Sequence, residues 1–506
     1  MTAPLRARAA TPAVSATVAA TRRAGWLLVV ALGIGVFVGG FDQTFVVPVL
    51  ARMLADLDIP INEFGRASWI INGYLLGYTV AMPLMGRVAD VYGRLRVFLL
   101  GLLIFAAGSV LVALAPNLLT LALARAVTAL GGGALVPVAL AIAADTLPRH
   151  QRPLGLSSIS VLDDASTLVG PLWGTLIGVW IGWRGLFWMN IVLAVPVLIA
   201  VLAAARRADD GRLGAATTQS RRVDWPGGAL MAAALAALTF ALADDGQPRT
   251  AVMTLALFGA AAALLALFVA HERRAGDPLI DLGMFRNRRL VVALLLFLLE
   301  GGALITALVN VPLMTEVLWD GRGAEPGLML MRMVLFMIVG GVLGGVLAPL
   351  AGYRITAVTG FALAAAGLYG MYAWPATPSE GARWLALAVA GLGFTLSDAP
   401  IYATVMNAVA SERRASAAAL LQVLQTTGMI VGMALLASQG LGRFNQRAAE
   451  LFRQSAFGDA ESYRVIVHRT FDETFLSAAF AMALAAVLAL GLGAGRGGRF
   501  EWAGEE

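Results

Sequence analysis

The sequence predicts an all-α protein that crosses a membrane fourteen times, as six spans, then two, then six. Three observations predict it. Of 506 residues, 59% are hydrophobic and only 13% charged, with a mean hydropathy of +0.79. A water-soluble chain of this length could not bury so much apolar surface. Stretches of about 20 mostly apolar residues recur along it, the length a helix needs to cross roughly 30 Å of hydrocarbon. The 37 basic residues, all arginine, cluster between these stretches on alternating sides.

Composition also excludes classes of function. There is no cysteine, so no disulfide or thiolate metal site forms. The three histidines, His150, His271 and His468, lie outside the spans, which argues against a metal centre. No cofactor motif is present. The formal charge of +6 reflects membrane topology, not a nucleic-acid partner, because the arginines sit in loops between spans.

In chain order, residues 1–24 read as a disordered cytoplasmic tail without the apolar core of a signal peptide. Residues 25–205 hold six spans, near 25–49, 67–85, 96–115, 118–142, 155–178 and 186–205. Residues 206–289 form a basic linker containing two further spans, 226–243 and 251–270. Residues 290–494 hold the last six, near 290–312, 328–350, 355–374, 383–405, 415–441 and 473–494, and 495–506 form a cytoplasmic tail. Placing both termini in the cytoplasm puts most of the arginines on that side. Two six-helix halves joined by a basic linker suggest a parallel repeat around a central pathway.

The loop after the second span reads "GRVADVYGRLRV" (86–97), in which Gly86 and Gly93 permit a tight turn. Asp90 accepts hydrogen bonds there, and Arg94 holds the loop on the cytoplasmic side. This stretch resembles the signature loop of the major facilitator superfamily. "FDQTFVVPVL" (41–50), with Asp42 and Thr44, resembles the Asp-x-Thr motif of its fourteen-helix drug/proton antiporter branch. "RAVTALGGGALVPVALAIAAD" (125–145) matches the family's buried arginine, Arg125, and its glycine cluster. "GPLWGT" (170–175), with Gly170, Pro171 and Gly174, resembles the antiporter motif, although Thr175 replaces its last glycine. The resemblance implies a monomer of two six-helix bundles rocking about a midplane site, exporting substrate against inward proton flow.

A narrower likeness lies in "DIPINEFGRASWIINGYLLGYTVAMPLMGR" (58–87), Asp164 and "GLGRFNQ" (440–446). These resemble mycobacterial exporters of drugs and triacylglycerides, which implies a lipid substrate and an extracytoplasmic lipoprotein partner. Where those exporters carry an arginine in the penultimate helix, this chain has Gln425, and it carries Glu300 in the first helix of its second half.

A charge at the bilayer centre costs at least about 2.5–3.5 kcal/mol unless paired, protonated or hydrated, so each buried carboxylate is a functional candidate. Asp164 lies about 14 Å into its span, on one face with Ser160, Thr167 and Pro171. Asp163 is turned about 100° away, and two such close carboxylates disfavour double ionisation. Either can carry a proton, or be a neutral acid bonded between helices. Asp42 and Arg125 are natural opposite-charge partners, as a proton-released bridge or a static pair. Glu300 either faces Arg125 across the cavity or carries a proton itself. Asp398 either caps a Pro-broken helix or joins Thr44, Thr167 and Gln425 as a polar cavity group.

The loop at 442–472 is long, yet Leu441, Phe444, Ala448, Leu451 and Phe452 recur at helical spacing, as do Tyr463, Ile466, Thr470 and Phe471. It predicts an extracytoplasmic helical hairpin, either a stalk or a platform that guides lipid or docks a partner. The function expected is proton-coupled export of hydrophobic or amphipathic molecules from a bacterial inner membrane, not enzymatic. The alternatives are a multidrug/proton antiporter without a lipid role and, more remotely, a lipid-acting membrane enzyme.

Overall fold

The computed structural model describes residues 12–59, 67–148, 151–208, 223–242, 250–276, 278–280, 282–319, 321, 325–409, 414–440, 443, 447 and 460–492. Every regular element among them is helical. The N-terminal series is α1 (Pro12–Phe45), a 3-10 turn (Val47–Val49), α2 (Leu50–Asp56), α3 (Trp69–Tyr92), α4 (Arg94–Ala113), α5 (Leu118–Thr146) and α6 (Arg152–Ala208). An antiparallel pair follows, α7 (Trp225–Leu242) and α8 (Ala251–Glu272), then a 3-10 turn at Leu282–Arg286. The C-terminal series is α9 (Arg288–Leu318), α10 (Glu325–Ala351), α11 (Tyr353–Tyr372), α12 (Glu380–Leu396), α13 (Asp398–Ala408), α14 (Arg414–Leu435) with a π turn at Leu436–Gly440, and α15 (Ala460–Ala489).

Among the described residues, twelve helices are long and apolar enough to cross a membrane. The sequence count is fourteen. The segments expected at 155–178 and 186–205 run together as α6, bent at Gly182, whose φ of 71° ends one helical run and starts the next. The segment expected second, α3, stands outside the twelve and carries Asn72, Arg87 and Asp90.

Polar starts are capped locally. Asn117 Oδ1 accepts from Thr120 N at 3.0 Å to open α5, Thr250 opens α8, Asn287 opens α9, and Ser379 opens α12. Each satisfies a backbone donor that the first helical turn leaves free. Helix α1 begins at Pro12, inside the expected tail, because proline suits a first helical position and an Ala-rich run follows. Residues 1–11 and 493–506 lie outside the described residues.

Two helix starts share one backbone feature. Gly93 before α4 and Gly352 before α11 both adopt φ 97°, a conformation costly for any other residue. Gly101 and Gly108 follow Gly93 at the same spacing at which Gly360 and Gly367 follow Gly352. The crossings also correspond: a Cβ at Gly131 would strike Phe105 N and Gly101 O, and one at Gly393 would strike Ala364 N and Gly360 O. In both halves glycine lets the backbones touch, the packing that holds helices together where no hydrophobic force separates them from lipid.

α1 packs along α6 and α5, and α9 packs along α14 and α15. The α7–α8 pair lies against α3 and α14, with Met231 and Phe268 buried on Val80. At the end carrying the α1–α2 turn, α6 meets α10, where a Cβ on Gly327 would strike the Thr175 side chain. The first arm of the expected hairpin lies outside the described residues except Arg443 and Arg447. The second arm is helical, since α15 starts at Ala460 and not near 473. Glu473 binds Arg443 at 2.8 Å and also Arg447, which ties the base of the loop to α15.

Candidate functional site

The N-terminal half is organised around one ion pair. Asp42 of α1 and Arg125 of α5 are fully buried, with Arg125 Nη1 donating to Asp42 Oδ2 at 2.5 Å. Arg125 Nη2 also donates to the Asp42 carbonyl at 3.3 Å, and its Nε to the Ile70 carbonyl at 3.4 Å. Asn190 Nδ2 of α6 donates to the other Asp42 oxygen at 2.6 Å and lies 3.1 Å from Ser109 Oγ of α4. The guanidinium sits 4.2 Å from the Tyr74 ring centre and 5.5 Å from that of Phe187. Five helices thus supply hydrogen bonds and aromatic faces to one buried charge pair, which a low-dielectric site requires.

Two residues before Asp42, Gly40 lets α6 approach: a Cβ there would lie 3.1 Å from Asp163 Oδ1 and against Ser166. Asp163 therefore sits against α1, close enough to Tyr74 to act on it electrostatically. Asp164 follows it on the same helix, and its side chain lies outside the described residues. Further along this seam, Thr44 Oγ1 donates to the Thr167 carbonyl at 3.0 Å, and Thr167 Oγ1 to the Asp163 carbonyl at 3.4 Å. Thr44 is placed on the seam between α1 and α6. Its hydroxyl is buried, spent on joining α1 to α6. Thr167 offers its carbonyl to the same bond. Gly170 and Gly174 press on Phe41, Thr44 and Phe45 of α1, so these residues set the spacing of that seam. Pro171 carries the carbonyl that accepts from Thr175 Oγ1 at 2.8 Å.

The C-terminal half is built differently. Glu300 of α9 is buried, and its carboxyl faces that of Asp398, the first residue of α13. It makes no ion pair with Arg125, each of whose three nitrogens donates to Asp42 or to the Ile70 carbonyl. The Phe297 and Tyr402 rings meet edge to face at 5.2 Å, one turn along both helices, and Tyr402 OH lies 3.4 Å from Gln422 Oε1. The Gln425 carbonyl presses on Gly301, so that stretch of α14 serves backbone contact with α9.

The signature loop is a cross-helix tie. Gly93 makes the turn, and Arg94 donates to Asp90 at 3.0 Å, to the Ala141 carbonyl at 3.1 Å and to Asp145 at 2.5 Å. Arg87 donates to the Pro278 carbonyl at 2.7 Å, beyond α8. A Cβ on Gly86 would meet Pro137 at 3.9 Å, an ordinary contact, so packing does not require glycine there.

A family model of the Major Facilitator Superfamily matches residues 32–433. The chain belongs to this superfamily. Among its relatives, the triacylglyceride transporter of Mycolicibacterium hassiacum is 35% identical over 436 residues, covering 83% of this chain and 80% of the relative. That of Mycolicibacterium smegmatis is 31% identical over 484 residues, covering 88% and 83%. That of Mycobacterium tuberculosis is 32% identical over 450 residues, covering 85% of each. The resemblance to mycobacterial triacylglyceride transporters is thereby borne out. Two solved structures share the fold at 15% identity and a TM-score of 0.63, each covering 92% of this chain and 98% of the solved one. They are a bacterial homologue of the human lysosomal transporter Spinster, inward-facing and unoccupied, and the POT family transporter PepTSo.

This superfamily member is a multi-pass membrane transporter and not an enzyme. Of its sequence-predicted residues, the structure brings together Asp42 with Arg125, and Asp90 with Arg94. The pairing of Glu300 with Asp398 was not expected, and neither were Asn190, Tyr74, Ser109 and Asp145. Asn190 carried a usable signal: it is an amide in an otherwise apolar stretch, "FWMNIVL". Arg332, the second arginine within a span, belongs to neither centre, because it binds Glu380 at 2.8 Å.

Proposed function

We propose that this transporter exports lipid of the triacylglyceride class, together with amphipathic drugs, by alternating access coupled to inward proton flow. The observation that carries the coupling is the buried Asp42–Arg125 pair with Asp163 packed against Gly40 of the same α1 helix. A charge pair so enclosed is stable only while both charges persist, so protonating a neighbouring acid or the aspartate itself shifts the helices that hold it. The relatives' names supply the substrate class. Fourteen spans fit this reading: α3 joins the twelve, and α6 divides at Gly182. The arginine distribution places both termini in the cytoplasm of a bacterium, and the α1–α2 end outside. The transporter acts as a monomer, with the loop at 442–472 offered to an extracytoplasmic lipoprotein.

Proteoliposomes test the coupling. Asp164→Asn and Asp163→Asn are made separately, and at least one is expected to abolish transport driven by a proton gradient while leaving the protein folded. Full driven transport by both variants would reject a coupling role for this pair. Native mass spectrometry of the purified protein, showing co-purified lipid of triacylglyceride mass, supports the substrate class.

The loop gives a second test. Each methylene of an acyl tail exposed to water costs about 0.8 kcal/mol, so an apolar wall beyond the membrane favours lipid over compact drugs. Replacing residues 442–459 with a short Gly/Ser linker leaves α15 whole. It is expected to impair long-chain lipid export and spare small amphipathic drugs. Equal loss of both would assign the loop to folding instead.

A further inference from the structure

The two halves treat their central carboxylates in opposite ways. The interval from Gly93 to Gly352 carries Asp42 to Gly301, next to Glu300, so the two acids occupy neighbouring levels of equivalent helices. Asp42 is neutralised by Arg125. Glu300 has no described cation beside it. Arg332 of the adjoining α10 is held by Glu380, and the facing side chains Tyr402 and Gln422 are uncharged at neutral pH. Its partner is a second carboxyl, Asp398.

That arrangement has a chemical requirement. An ionised carboxylate has lone pairs and no donor hydrogen, so two carboxyl groups hydrogen-bond only when one carries a proton. The geometry makes their meeting no accident of one rotamer. α9 and α13 face each other along two successive contacts, Glu300 with Asp398 and Phe297 with Tyr402. On its other side, α9 lies backbone to backbone with α14, where Gly301 meets Gln425 O and Gly428 meets Leu298 O. Glu300 is thereby directed away from α14 and into the α13 contact. Its Oε2 is buried with no hydrogen-bond partner among the described residues, so one acceptor site remains inside the protein.

We propose that Glu300 and Asp398 form a proton-binding site in the C-terminal half, holding one shared proton at neutral pH and releasing it during the transport cycle. Ser397 joins α12 and α13 with helical backbone angles, so the two form one span from Glu380 to Ala408, and release asks that the α13 part of that span separate from α9. When Asp398 withdraws, Glu300 keeps the proton or loses it to water admitted between the helices. Among the described residues no group of three acidic or histidine side chains stands here to hold a metal ion, and sodium binding is measured beside the proton below. The holding of the proton stands on the burial of Glu300, its unpartnered Oε2 and the facing of α9 and α13. Its release during the cycle rests on the proton-coupled reading of transport.

Infrared spectroscopy of the full-length protein in lipid nanodiscs tests the first part. At neutral pH, the wild type is expected to show a protonated-carboxyl C=O band that shifts in heavy water. That band should be lost in Glu300→Gln and in Asp398→Asn but kept in Asp42→Asn. Absence of the band in wild type, or its survival in both variants, would overturn the site. So would saturable sodium binding removed by Glu300→Gln. The amide in Glu300→Gln can still donate to Asp398, which keeps the helix contact, and thermal unfolding checks that it does. For the second part, Glu300→Gln in proteoliposomes is expected to retain substrate counterflow and lose acceleration by a proton gradient. Retained acceleration would overturn the release step. A wild type indifferent to the gradient would defeat the proton-coupled reading and leave the infrared result standing.

Discussion

Replacing Arg125 with methionine is expected to destabilise the transporter by about 3–5 kcal/mol, the penalty of leaving a buried carboxylate without its partner. Asp42 would keep the Asn190 hydrogen bond and lose both the charge and the Arg125 donor. Arg125→Met together with Asp42→Leu removes both charges, and its loss should be smaller than the sum of the single losses. Arg125→Lys retains the charge but not the planar group that reaches Asp42, Ile70 and the Tyr74 face at once, so it should recover only part of the stability. Thermal unfolding of the purified single and double variants measures the coupling. Strict additivity would mean that the two side chains act independently, against the geometry observed.

The second large effect lies where the halves meet. A Cβ on Gly327 would overlap the Thr175 side chain, and Thr175 is buried with its hydroxyl bound to the Pro171 carbonyl. Gly327→Ala therefore forces α6 and α10 apart at the end read as extracytoplasmic. Overpacking of this kind costs about 1–3 kcal/mol, which shifts an equilibrium between closed and open forms by about 5-fold to 150-fold. Export should fall accordingly, with the outer side more accessible to a membrane-impermeant thiol probe at an introduced cysteine. Adding Thr175→Gly makes room for the new methyl and is expected to restore both readouts. If the double variant stays as impaired as Gly327→Ala, the crossing is not the closure contact.

Much of this protein was legible without coordinates, and the reason is physical. In hydrocarbon each backbone group must be satisfied within its own segment, so apolar runs announce helices one at a time. The signature loop is likewise local: Gly93 and Arg94 are neighbours, and Arg94 reaches Asp90 across one helical turn. Asp42 and Arg125 could be matched because opposite charges inside one half have few other places to go. Thr44 shows the limit of such matching. A threonine near an acid in a span suggests a cavity wall, yet its hydroxyl reaches a carbonyl of the next helix over.

The sequence by itself therefore determined the membrane class, the superfamily, the ion pair and the signature loop, because each follows from composition, short spacing or a scarcity of alternatives. Tertiary structure alone decided that Glu300 meets Asp398, that Asn190 completes the Asp42 centre, and that Thr175 closes on Gly327. Helical periodicity fixes the depth and face of a side chain but not which neighbour occupies that face. That choice is made where glycines let particular backbones approach, and the partners lie far apart along the chain.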